Sequence, residues 1–101
     1  GVRRYIGDET AMYGAGTYKL TFKVRADSAR NNALRVKTTL KNNDGFTYKN
    51  VSVTKAWTVF EYTFDLTAEQ ITDPLMMFDI NTLDQSVVWF EVCDLTLVKV
   101  K

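Results

Sequence analysis

Residues 16–26 restrict this chain more than any other stretch of it. Tyr18, Leu20, Phe22, Val24 and Ala26 alternate without a break with Thr17, Lys19, Thr21, Lys23 and Arg25. A period of two puts one set in a core and the other in water, which only a strand can do. Residues 34–41 repeat the pattern, with Leu34, Val36, Thr38 and Leu40 inward against Arg35, Lys37, Thr39 and Lys41. Phe60, Tyr62, Phe64 and Leu66 alternate again within 57–66. A weaker strand is expected at 46–53, with others at 75–81 and 87–100, and residues 2–6 can supply a seventh. Asn42-Asn43-Asp44-Gly45 and Thr82-Leu83-Asp84-Gln85-Ser86 have turn and loop chemistry. The single expected helical turn follows Thr67, which has capping-box spacing to Gln70, and Pro74 ends it.

Thr, Val, Ile, Phe, Tyr and Trp make up 40 of 101 residues, the set that suits a pleated, half-buried surface. Short strands at close spacing with almost no helix predict one all-β domain spanning 1–101, a sandwich or barrel. The longest apolar runs are about four residues, far below the 18 of a membrane helix, so no membrane span is expected. The chain opens without a charged-then-apolar leader.

The absence of histidine excludes a Ser-His-Asp triad, a Cys-His pair and any His-bearing metal site. Cys93 is the lone cysteine and cannot form an internal disulfide; in an apolar strand it is expected to be a buried small hydrophobe. Charge is uneven. Through Lys55 there are eleven Lys/Arg and four Asp/Glu, and beyond it two and eight. A basic half can signal nucleic acid. Here Lys19, Lys23, Arg25, Arg35 and Lys37 occupy alternate strand positions, as on a solubilised sheet face. No nucleic-acid partner is expected, and the two signs neutralise each other if the halves interleave.

Three ordered motifs carry a resemblance. Gly16-Thr17-Tyr18-Lys19-Leu20-Thr21-Phe22-Lys23-Val24 comes first, then Trp57 opening the aromatic alternation, then Phe90-Glu91-Val92-Cys93-Asp94-Leu95-Thr96-Leu97. Together they resemble the jelly-roll carbohydrate-binding modules of families 4, 9 and 22. The resemblance implies a two-sheet antiparallel β-sandwich with jelly-roll topology and a non-catalytic module. It further implies binding of β-linked glucan chains (β-1,4-glucan, xyloglucan or a related plant cell-wall polysaccharide) and linkage to a secreted glycoside hydrolase. The chain lacks the family's Asn-Gly-Gly-Phe-Glu-like opening strand, and Cys93 replaces the first of two closing aspartates. Both positions are tied to the structural calcium of those modules, a cation that takes several hard oxygen ligands. Asp94, Asp8 and Glu9 are the remaining candidate ligands for an optional calcium.

A sugar ring offers a flat C–H patch and a rim of hydroxyls, so its site needs an exposed aromatic beside fixed polar groups. Alternation places Asp79 with Asn81 and Met77, and Trp89 with Glu91. If the apolar sets point inward, Trp89, Glu91, Asp79 and Asn81 project outward together. Trp89 packs instead with Cys93, Leu95 and Leu97 if its strand has no bulge. Tyr48, on a face with Phe46, Asn50 and Ser52, is a second stacking candidate. Trp57 is either ligand or structure, Tyr5 and Tyr13 can cover a groove from irregular sequence, and Arg35 and Lys37 can donate to hydroxyls. Asp79 and Glu91 on neighbouring strands would approach the spacing of a glycosidase pair, although a domain this small offers little depth for excluding water. The competing function is a structural or protein–protein adhesion sandwich with no sugar site.

Overall fold

A computed structural model of the chain describes residues 1–39 and 45–101. Leu40 and Lys41 of the second expected strand and most of the Asn42–Gly45 turn lie outside them. The elements in chain order are β1 (Val2–Tyr5), α1 (Gly7–Tyr13), β2 (Gly16–Ala26), β3 (Arg30–Thr39), β4 (Gly45–Val53) and β5 (Thr58–Leu66). A 3-10 turn at Gln70–Thr72, β6 (Met77–Thr82) and β7 (Phe90–Lys99) follow. One sheet has the order β1-β6-β3-β4 and the other β5-β2-β7, with every pairing antiparallel.

The alternation of β2 does what its period requires. Tyr18, Leu20, Phe22, Val24 and Ala26 are all buried, and β2 is the centre of its sheet. They meet Leu34, Val36, Val51, Val53, Phe78 and Ile80 from the four-stranded sheet. Removing that apolar area from water is the main force closing the sandwich. Phe22 and Phe60 pack with ring centroids 4.9 Å apart, an ordinary aromatic separation. Tyr18 is buried, and its hydroxyl donates to the Gly14 carbonyl in a partly buried bond. Burial, then the neighbouring Tyr13, raises its pKa above the usual phenol value.

Two local features decide which way side chains point. Asp94 has φ 53°, and the β2–β7 register shifts there, so Asp94 and Leu95 together stand against Phe22. This is a bulge with its first residue left-handed. Phe90 and Val92 point inward before it, and Leu95 and Leu97 after it. The strand expected to begin at Val87 begins at Phe90, and Cys93, opposite Lys23 on the outer side, is half-buried rather than a core residue.

The helix α1 is a correction. Residues 7–13 read as irregular, yet they form two turns that bury Gly7 and Thr10 beside the 70–76 segment. Gly7 is needed there because a side chain would run into the Pro74 backbone. The turn after Thr67 carries the expected reciprocal cap: Gln70 N donates to Thr67 Oγ1 at 3.2 Å, and Thr67 N donates to Gln70 Oε1 at 2.9 Å.

Candidate functional site

The seven candidate residues fall into two groups on the two outer faces of the sandwich. Asp79, Asn81, Arg35 and Tyr48 belong to the four-stranded sheet. Glu91, Trp57 and Trp89 belong to the three-stranded sheet or its mouth. The expected joint face of Trp89, Glu91, Asp79 and Asn81 is therefore overturned. It rested on β6 and β7 being neighbours, and they lie in different sheets. For the same reason Asp79 and Glu91 cannot flank one glycosidic bond.

On the four-stranded face the register builds two ladders. Tyr48 stands opposite Lys37, Lys37 opposite Asp79, and Asp79 opposite Arg3. Asn50 stands opposite Arg35, and Arg35 opposite Asn81. Phe78, Ile80, Val36 and Leu34 take the alternate positions and are buried, so both ladders face outward. At about 4.8 Å per strand, the four strands span about 14 Å. Tyr48 on β4 is 51% exposed and Tyr5 on β1 is 54% exposed, so an aromatic ring stands at each edge of a polar band.

The polar groups on this face differ in how they are held. Asp79 is buried and accepts from Arg3 Nε at 2.8 Å, which raises the Arg3 pKa above its ordinary value, chiefly through that hydrogen bond and the carboxylate charge. Asp79 thus serves to place Arg3 and has little surface left for a ligand. The Arg35 guanidinium lies 5.1 Å from the centroid of the Tyr48 ring, a cation–π distance that restrains both side chains. Among the described residues, Lys37, Asn50 and Asn81 have no side-chain hydrogen bond or ion pair, so their polar groups are uncommitted, with Gly1 packed against Asn81 Oδ1. Arg3 was missed from the sequence: nothing in residues 2–6 shows that β1 inserts beside β6, 76 positions away in the Arg3–Asp79 bond.

On the opposite face, Arg25 donates to Glu91 from Nε at 3.2 Å and from Nη2 at 3.0 Å, and stands 4.6 Å from the Trp57 ring centroid. Trp89 precedes β7, 46% exposed, and its carbonyl accepts from Asp27 N. The bulge removes the alternative in which Trp89 shares the inner face with Leu95 and Leu97. Two further ion pairs cross strands on this face, Lys19 with Glu61 at 3.9 Å and Lys23 with Asp94 at 3.3 Å, and Asp65 accepts from Thr17 Oγ1 at 2.7 Å. The basic and acidic halves of the sequence do neutralise each other here. Beyond this face, a cleft of about 460 Å³ opens between the β4 and β5 edges, lined by Arg30, Asn31, Ser52, Val53, Thr54 and Thr58 among others.

The calcium ligand set is not assembled. Asp94 pairs with Lys23 on the outer face, Glu9 accepts from Arg4 at 3.0 Å on α1, and among the described residues no three acidic or cysteine side chains cluster around a common point. The three candidate ligands Asp8, Glu9 and Asp94 are therefore not brought to one point.

No protein-family model matches the chain, and no curated protein matches it. A solved structure described as "CBM4 structure and function" superposes with a TM-score of 0.73, covering 94% of this chain. The fold is that of a jelly-roll carbohydrate-binding module. At 21% identity the likeness is one of architecture, and this jelly-roll chain spans 57% of the length of that structure's chain.

Proposed function

We propose that the chain is a non-catalytic module that binds β-linked cell-wall polysaccharide on the outer face of its four-stranded sheet. The observation that carries this is the polar band of Arg35, Lys37, Asn50, Asn81 and Arg3, bounded by the exposed rings of Tyr48 and Tyr5. Rings stack on C–H patches while amide and guanidinium groups hydrogen-bond hydroxyls. Because strands form the platform, its side chains are already positioned and little entropy is lost on binding. Linked to an extracellular glycoside hydrolase, such a module holds the catalytic domain at high local concentration on the polymer.

A second surface is favoured by one specific observation: Trp57 and Trp89 are both exposed at one end of the other sheet, with Arg25 and Glu91 fixed between them. Two variants separate the surfaces. Tyr48→Ala should weaken binding of soluble β-glucan by roughly 30- to 1000-fold, the range for a stacked aromatic anchor, with the thermal midpoint little changed. Trp89→Ala should leave that affinity intact. The opposite result assigns the site to the tryptophan surface. No binding of any polysaccharide by the parent protein would leave the adhesion sandwich as the better function.

A further inference from the structure

The two faces handle their cations differently, and the difference specifies a ligand. On the three-stranded face each of Lys19, Lys23 and Arg25 has a cross-strand carboxylate within 3.9 Å or less. On the four-stranded face the outward ladders carry three cations, Arg3, Arg35 and Lys37, against one carboxylate, Asp79, which Arg3 engages. Arg35 and Lys37 sit two residues apart on β3, so they project from the same side of one strand. Neither has an acidic partner among the described residues. Solubility does not demand this arrangement, since the opposite face achieves it with balanced pairs.

We propose that the four-stranded face takes a carboxylate-bearing β-linked polysaccharide, with Arg35 and Lys37 receiving the acidic substituents and Tyr48 stacking on the backbone. This rests on the reading of that face as the glycan platform and names the class of glycan. Arg35 suits the role because a planar guanidinium can donate two parallel hydrogen bonds to one carboxylate. Its stacking on Tyr48 places the charge beside the ring that holds the sugar. A nucleic acid is a poorer fit, because a binder that makes about 6–10 phosphate contacts needs a comparable number of cations, and the described residues of the outward ladders offer two uncommitted ones.

The test is calorimetric titration of the chain with two soluble polymers of one β-1,4-glucan backbone, carboxymethyl-cellulose and neutral hydroxyethyl-cellulose, at 50 and 200 mM NaCl. Dextran sulfate and a single-stranded oligonucleotide serve as anions without that backbone. The expected result is about tenfold tighter binding of carboxymethyl-cellulose at low salt, as two partly exposed charge contacts allow. That preference should shrink by up to roughly sevenfold at 200 mM, taking the single-strand nucleic-acid coefficient for two cations. The Arg35→Gln/Lys37→Gln variant, altered only at outward positions, should bind both celluloses equally. Equal affinity of the parent protein for the two polymers would overturn the acidic-glycan assignment and leave the glycan platform standing. Binding of dextran sulfate or the oligonucleotide as tightly as carboxymethyl-cellulose would overturn it in favour of a general anion surface. Failure to bind any polymer would overturn both the assignment and the platform.

Discussion

Deleting Asp94 should leave the domain folded, although Asp94 lies in the middle of β7. In the β2–β7 pairing, Cys93 faces Lys23 and Thr96 faces Thr21, which leaves two residues of β7 against Phe22. Removing one of them gives an uninterrupted ladder in which Phe90, Val92, Leu95 and Leu97 still point inward and Leu97 still meets Leu20. Two effects of opposite sign accompany the change. Relief of a left-handed non-glycine residue contributes up to about 1–2 kcal/mol, less for an aspartate. Loss of the Lys23–Asp94 pair, whose side chains are 49% and 67% exposed, costs well under 1 kcal/mol. The net change should lie within about 1 kcal/mol, or about 4–8 °C in thermal midpoint for a domain of this size. The control is deletion of Thr21 from β2, which has no spare residue. That deletion turns Tyr18 and Leu20, 1% and 0% exposed, to the outer face. Exposing two such side chains costs about 3–6 kcal/mol, enough to unfold many domains of this size. Thermal melts of the two deletions, with tryptophan emission to confirm that Trp89 stays in water, decide the matter. A midpoint loss from the Asp94 deletion as large as that from the Thr21 deletion would refute the reasoning.

Thr67→Ala removes half of the reciprocal cap at 67–70 and should cost about 1 kcal/mol, read from a denaturation midpoint. Thr38→Val should raise stability by up to about 1 kcal/mol, because the buried Thr38 Oγ1 has no hydrogen-bond partner and valine has nearly the same shape; a lower midpoint would show that the hydroxyl is used. Hydrogen bonding from Arg30 holds the Asp27 carboxyl below its ordinary pKa. Its stabilising contribution is fully present above the ordinary aspartate value of about 3.9 and is lost as pH falls through the lowered one. Asp27→Asn should therefore flatten the acid limb of a plot of thermal midpoint against pH, and an unchanged limb would count against the pairing. Excess chelator should leave the melting temperature unchanged, since Asp8, Glu9 and Asp94 are not gathered into one site.

The strand inventory was legible because a half-buried strand writes its two environments directly into alternate residues. That is why β2 and β5 match their expected faces residue by residue, while in β6 the register keeps Asp79 and Asn81 on the outer face although Met77 and Asp79 are themselves buried. The capping box was legible for a related reason: its partners are three residues apart, and local spacing determines their contact. The helix α1 escaped notice because it has only two turns and no side-chain cap. Its stability comes from packing against a segment some 60 residues later.

For the site, sequence alone determined the faces within each strand: Asp79 with Asn81, Tyr48 with Asn50, Arg35 with Lys37. Only the tertiary structure decided which strands are neighbours, and hence which faces add together. Strand order depends on long-range pairing and on the shapes of the two sheets, neither of which leaves a periodic mark in the chain. The β1-β6-β3-β4 order brought Arg3 to Asp79, moved Trp89 and Glu91 to the far side, and left Arg35 and Lys37 without a carboxylate partner among the described residues. The bulge at Asp94 acted in the same way. One extra residue reversed the pleat of β7, turned Leu95 and Leu97 toward the core, and kept Trp89 in solvent.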